Sequence, residues 1–95
     1  MTRKPVYTEA ASTDLIEILE YVASDKPMAA ATLIDKLEEK CLLIASSPEI
    51  GQPQPELGYL VRSSIVGRYI IFYRHGNDRV EILRVIPGDR DITRL

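Results

Sequence analysis

Apolar residues recur at helical spacing through the first half of the chain. Ala11, Leu15, Ile18 and Val22 stand four, three and four residues apart, and Leu19 widens that stripe, while Asp14, Glu17 and Glu20 lie off it. Thr8 sits where an N-cap belongs, its hydroxyl able to accept from an orphan amide of the first turn, and Glu9 is favourably placed at the positive helix end. The segment Ser24 to Lys26 breaks the period, and Pro27 occupies a first helical position, where its missing N–H costs nothing. A second helix is therefore predicted from about Pro27 to Ser46, with Ala30, Leu33, Ile34, Leu37, Cys41 and Ile44 as its seam. Leu42 and Leu43 lie beside the seam, so the late half of this helix is expected to meet a sheet as well as the first helix. The two helices form an antiparallel hairpin.

The remainder reads as β. Lys4 to Tyr7 is a short strand, with Pro5 placing it at an edge or at a strand start. Leu60 to Val66, Arg68 to Arg74 and Arg79 to Ile86 are rich in Ile, Val, Tyr and Phe. They are separated by Gly67 and by the turn cluster His75 to Asp78, of the kind that joins antiparallel neighbours. Tyr69 to Tyr73 carries bulky residues in both alternating sets, which marks an inner strand packed on both faces. One face would meet the helical hairpin and the other the C-terminal tail or a partner. Between helix and strands, the run from Ser46 to Gly58 holds three prolines and two glycines, which halt the helix and favour extended backbone outside any ladder. The reading is one α+β domain over residues 1–95, ordered β-α-α-β-β-β with a mainly antiparallel sheet.

With 95 residues and 45% of them hydrophobic, the chain can bury a core but has little stability to spare. One Cys excludes an intrachain disulfide, and one Cys with one His cannot build a Cys/His zinc site. The start, MTRKPVYTEA, has no apolar run behind its basic residues, and no stretch reaches the roughly 18 residues of a membrane helix. A reducing cytoplasmic location is expected, with no membrane partner. The net charge of −2 argues against a generally basic nucleic-acid binder, so no sequence-specific DNA binding by this chain alone is expected. That average conceals a split. Residues 1–50 carry five Lys or Arg against nine acids, whereas residues 51–95 carry seven arginines against five acids. Arginine suits bidentate contact with carboxylate or phosphate, although solvated or salt-bridged arginines are the simpler reading.

Catalytic inventories are thin. A Ser–His or Cys–His arrangement must use His75, in a predicted turn, and Cys41 lies on a helix seam as an inert buried thiol. Asp89 and Asp91 are the only close acidic pair in the β half, and their alternation with Arg90 suits a solvated tail better than a metal site. Metal-free phosphodiester cleavage could draw on Arg62, Arg68, Arg74, Arg84, Arg90 and Arg94, but its proton donor would have to be Tyr69 or Tyr73, both placed in the core. Arg84 interrupts the set Val80, Ile82 and Ile86, so it must be ion-paired, emerge at an edge or face a partner. Glu81 is excluded as its pair because strict alternation points it the other way.

The run VGRYIIFYR (Val66 to Arg74) followed by VEILRVIPGDRD (Val80 to Asp91) resembles the C-terminal half of the RelE/ParE superfamily of bacterial toxins, the ParE branch being the closer match. Asp14-Leu15, Ile18 and Tyr21-Val22 also fit, as do Pro27-Ala29-Ala30, Ser47-Pro48, Gly51 and Pro55-Glu56-Leu57, so the resemblance covers nearly the whole chain in order. It implies an N-terminal strand and a helical hairpin packed on an antiparallel sheet. In function it implies the toxin of a type II toxin–antitoxin pair, used for instance in plasmid stabilisation and neutralised by a ParD-like antitoxin that is amphipathic and folds on binding. No cofactor is implied. ParE toxins are generally linked to inhibition of DNA gyrase, RelE toxins to ribosome-dependent cleavage of messenger RNA. Pro87 departs from the pattern, since ParE-like sequences often place His near there and several ribonuclease relatives a catalytic acid or base. A proline side chain moves no proton. Ser64-Ile65 departs as well, where an aromatic residue followed by proline is common. The resemblance thus favours a gyrase-binding inhibitor without catalytic residues, with Arg84, Arg90 and Arg94 at the target-binding end. The alternative is a ribonuclease holding phosphate with Arg62, Arg68 and Arg84.

Overall fold

The structure, a computed structural model, describes residues 4–89. Strand β1 (Pro5–Tyr7) leads through Thr8 into helix α1 (Glu9–Ala23), and α2 (Pro27–Ser46) returns antiparallel to it. Strands β3 (Val61–Val66), β4 (Tyr69–His75) and β5 (Val80–Pro87) lie within a residue of their predicted bounds. The connector holds two 3-10 turns, Pro48–Ile50 and Pro55–Leu57, flanking a two-residue strand β2 (Gln52–Pro53). That strand corrects the expectation of a ladder-free connector, because Gln52 and Pro53 pair with Ser63 and Arg62. Pro53 is tolerated there because β2 is an outermost strand, where a missing N–H breaks no ladder.

The sheet runs in the order β1-β5-β4-β3-β2. Its neighbours are antiparallel except for β1 and β5, which are parallel with Pro5 opposite Val80 and Tyr7 opposite Ile82. Gly67 and Arg68 join β3 to β4. Gly67 has φ of 57°, the positive value a two-residue hairpin needs at its first loop position.

The hairpin packs one face of the sheet. Ala11, Ile18, Leu37, Cys41 and Ile44 meet Tyr69, Ile71, Tyr73, Val80, Ile82 and Val85 in one cluster. Burying such side chains contributes about 1.5–3 kcal/mol each as an upper bound. The opposite face buries Phe72 and Ile86, so β4 is packed on both sides as its sequence requires. The expectation that the tail covers that face falls on residues 90–95, outside the described residues. Leu42 and Leu43 depart from expectation: both are about half exposed, and only the Leu37, Cys41 and Ile44 side of α2 reaches the core. Among the described residues no helix is long and apolar enough to cross a membrane.

Candidate functional site

Strand β5 breaks its own alternation. Phe72 pairs with Arg84 and Tyr73 with Ile82, so Leu83 is an extra residue without a partner on β4. Val80, Ile82 and Val85 consequently share the helix-facing side, while Glu81, Arg84 and Ile86 lie on the other. This corrects the placement of Arg84 among Val80 and Ile82 and its separation from Glu81, both of which assumed an unbroken period of two.

At the bulge the edge of β5 passes from β1 to α1. The amide of Thr8 donates to the Ile82 carbonyl (3.1 Å) and its hydroxyl to the Leu83 carbonyl (2.9 Å). The same hydroxyl accepts from the Ala11 amide (3.1 Å), so Thr8 is the N-cap its sequence position predicts. One turn further, Asp14 Oδ2 accepts from the Val85 amide (2.9 Å) and from Arg84 Nε (2.7 Å), and Oδ1 accepts from Arg84 Nη2 (2.9 Å). Asp14 is therefore buried, contrary to its predicted place off the stripe, and it serves as the missing strand partner of Val85 while holding Arg84 bidentately. The hydrogen bond to Asp14 raises the guanidinium above its already high ordinary pKa. The Arg84 side chain stays 30% exposed, so its outer N–H groups face an open hollow lined by Glu9, Ala10, Thr13 and Glu17.

The other arginines do not join it. Arg62, opposite Tyr73 on the helix-facing side, donates from Nη1 to the carbonyls of Gly51 (2.8 Å) and Glu49 (3.4 Å), clasping the connector. Arg68 stands in the β3–β4 turn, largely exposed, with Nη2 4.0 Å from Asp89, a pair of negligible stabilising value. Arg62 thus lies against the connector, Arg68 in a turn and Arg84 against α1. Arg90 and Arg94 lie outside the described residues, as does Asp91. His75 ends β4 opposite Val80 rather than standing in the turn.

Tyr69 and Tyr73 are both buried, as their apolar context predicts. The Tyr73 hydroxyl donates to the Pro48 carbonyl (2.6 Å) and accepts from the Gly51 amide (2.9 Å). A Cβ on Gly51 would fall 2.2 Å from that oxygen and 2.8 Å from the Ser63 carbonyl, so glycine is required by close approach. Burial pushes the Tyr73 phenol up, partly offset by the bond from Gly51, which keeps it neutral and structural. Burial likewise raises the Cys41 thiol and the Tyr7 phenol. Sequence reasoning missed two features: the Asp14 clamp and the Tyr73 lock. The first had a signal, since Asp14 lies three residues after Ala11 and four before Ile18, within the same helical face.

Two solved structures share this architecture. One is a chromosomal ParDE toxin–antitoxin system from P. aeruginosa, at a TM-score of 0.78 and 18% identity over 93% of this chain and 98% of that one. The other is the RelBE2 toxin–antitoxin complex from Mycobacterium tuberculosis, at 0.65 and 24% identity over 92% and 99%. The fold is thus one found in toxin–antitoxin assemblies. No curated protein sequence matches the chain. The sequence profile of the ParE toxin of type II toxin–antitoxin systems matches residues 6–92, and the chain belongs to that family.

Proposed function

We propose that the protein is a toxin that inhibits DNA gyrase by binding it and is neutralised by direct binding of a ParD-like antitoxin in the cytoplasm. Family membership over residues 6–92 carries this reading, and a role in plasmid stabilisation is compatible with it. The placement of the arginines supports inhibition by binding over hydrolysis. Arg62 is engaged by main-chain carbonyls and Arg84 by Asp14, so no cradle for a phosphate forms among the described residues. Strand β5 ends in Pro87, whose side chain moves no proton. Arg84, held by Asp14 with its outer N–H groups open, would act with Arg90 and Arg94 in contacting the target.

The likeness to RelBE2 favours a second reading, ribosome-dependent cleavage of messenger RNA with Arg62, Arg68 and Arg84 on phosphate. Pulse labelling after induction without antitoxin separates the two. Gyrase inhibition stops thymidine incorporation first, and messenger RNA cleavage stops methionine incorporation first. Unchanged growth and labelling would indicate a chain that keeps the fold without toxicity.

A further inference from the structure

Helix α1 carries Asp14, Glu17, Ile18 and Tyr21 at spacings of three, one and three, which sets all four in one stripe. Where β1 no longer pairs with β5, this stripe borders a hollow of about 300 Å³ whose other walls are Tyr69, Val85 and Pro87. Tyr21 is 76% exposed, whereas Tyr69 keeps only 6% of its surface exposed. Even so, nothing bonds to the Tyr69 hydroxyl among the described residues. Every fully buried polar side-chain atom described there has a partner, so this hydroxyl is reached from outside, through the hollow that its residue lines. Tyr73, by contrast, commits its hydroxyl to two main-chain bonds. Packing alone requires the ring of Tyr69 and not its oxygen.

The edge of β5 decides which chemistry fits. Val85 turns its main chain away from β4, since its amide donates to Asp14 (2.9 Å), and its carbonyl points the same way. Pro87, two residues further, shares that orientation and has no N–H. Beyond Asp14 the edge therefore offers two carbonyls and no free donor, so an added strand would leave its own inward carbonyls unpaired. Glu17 contributes a carboxylate with no ion-pair partner among the described residues, and no basic side chain lines the hollow. The two phenols contribute oxygens that accept and ring faces that attract positive charge. A guanidinium meets every one of these conditions: it is cationic, carries five N–H donors and no acceptor, and stacks flat on aromatic rings. An ammonium carries the charge without the flat face. The neighbouring hollow that Arg84 faces shares Asp14 and Glu17 with this one. Asp14 already matches the charge of Arg84, which leaves Glu17 as the unmatched charge between them.

Taking gyrase as the partner, which rests on the reading above, we propose that this hollow receives an arginine side chain of the target. Its guanidinium donates to Glu17, to the Val85 and Pro87 carbonyls and to the Tyr69 hydroxyl, and its plane lies against Tyr21.

Two measurements on the full chain test this. The first adds N-acetyl-arginine amide, with its uncharged citrulline analogue as control. Amide NMR shifts are expected at Glu17, Tyr21, Tyr69 and Val85 with the arginine compound alone, and they should be lost in Glu17→Gln. The second is inhibition of gyrase supercoiling. Tyr21→Ala and Glu17→Gln should each raise the concentration of chain needed for half inhibition about tenfold, and Tyr69→Phe about threefold. Urea midpoints should stay at the parent value, because Tyr21 and Glu17 are exposed and the Tyr69 hydroxyl holds nothing in the fold. Antitoxin affinity should stay within about twofold of the parent. Absent shifts, or variants that inhibit like the parent, overturn the site and leave the gyrase reading in place. Equal shifts with both compounds overturn the assignment of a cation. Variants that bind antitoxin about tenfold more weakly overturn the target as the source of the arginine. A parent chain that leaves gyrase fully active overturns the gyrase reading, and the partner named here with it.

Discussion

Replacing Tyr73 by Phe removes one oxygen and keeps the ring, which isolates the lock between sheet and connector. In the native chain that oxygen donates to the Pro48 carbonyl at 2.6 Å and accepts from the Gly51 amide at 2.9 Å, both within a buried site. The variant leaves a buried N–H and a buried carbonyl without partners. Each unmade bond costs about 1–3 kcal/mol, and a surface connector that relaxes towards water holds the total near the lower end, about 2–4 kcal/mol. A domain of this size holds roughly 5–15 kcal/mol in total, so the variant still folds, with Tm lowered on the order of 10–20 °C. Urea denaturation measures the loss. An unchanged m-value would show that the surface exposed on unfolding is the same, and faster exchange at the Gly51 amide would localise the effect. A Tyr73→Phe variant within about 0.5 kcal/mol of the parent, with Gly51 still protected, would refute the lock.

Asp14→Ala should cost about 2–4 kcal/mol, because it leaves the Val85 amide and a partly buried guanidinium unpaired; Asp14→Asn, which keeps an acceptor, should recover part of that in the same urea assay. Arg68→Ala removes only an exposed 4.0 Å pair, so stability should change by less than about 0.5 kcal/mol. Under the gyrase reading it should also leave growth arrest intact, whereas lost arrest would favour the ribonuclease reading. Tyr7, Tyr73 and Cys41 all have folded pKa values above their ordinary 10.0, 10.0 and 9.0. Their contribution is complete below those ordinary values and is lost as pH rises through them towards the folded ones, because the unfolded chain releases these protons first. Unfolding free energy should therefore fall above about pH 9, and less steeply in Tyr7→Phe; a flat profile from pH 8 to 11 would contradict the burial argument.

The elements were legible because each is written locally. Thr8 and Pro27 mark the helix starts, periodicity marks the helix seams, and Gly67 marks the β3–β4 turn. The two-residue strand β2 was not legible, because a strand containing Pro53 is stabilised by the hairpin it joins rather than by its own composition. Arg84 was correctly singled out as a charge needing a partner, yet its face was misplaced. A bulge such as that at Leu83 depends on where β1 ends and α1 begins, and a period of two carries no trace of it. Asp14 eluded the pattern because a carboxylate in a helix normally marks the solvated side. Here it is buried because β5 outruns β1 and leaves the Val85 amide without a strand partner.

The proposed inhibition of gyrase by binding is open to direct measurement. The direct measurement is negative supercoiling of relaxed plasmid by purified gyrase, with the chain added in increasing excess and then titrated with its antitoxin. Supercoiling is expected to be lost as the chain is added and to recover once the antitoxin reaches the amount of the chain. Full supercoiling and intact DNA at large excess of correctly folded chain would contradict it.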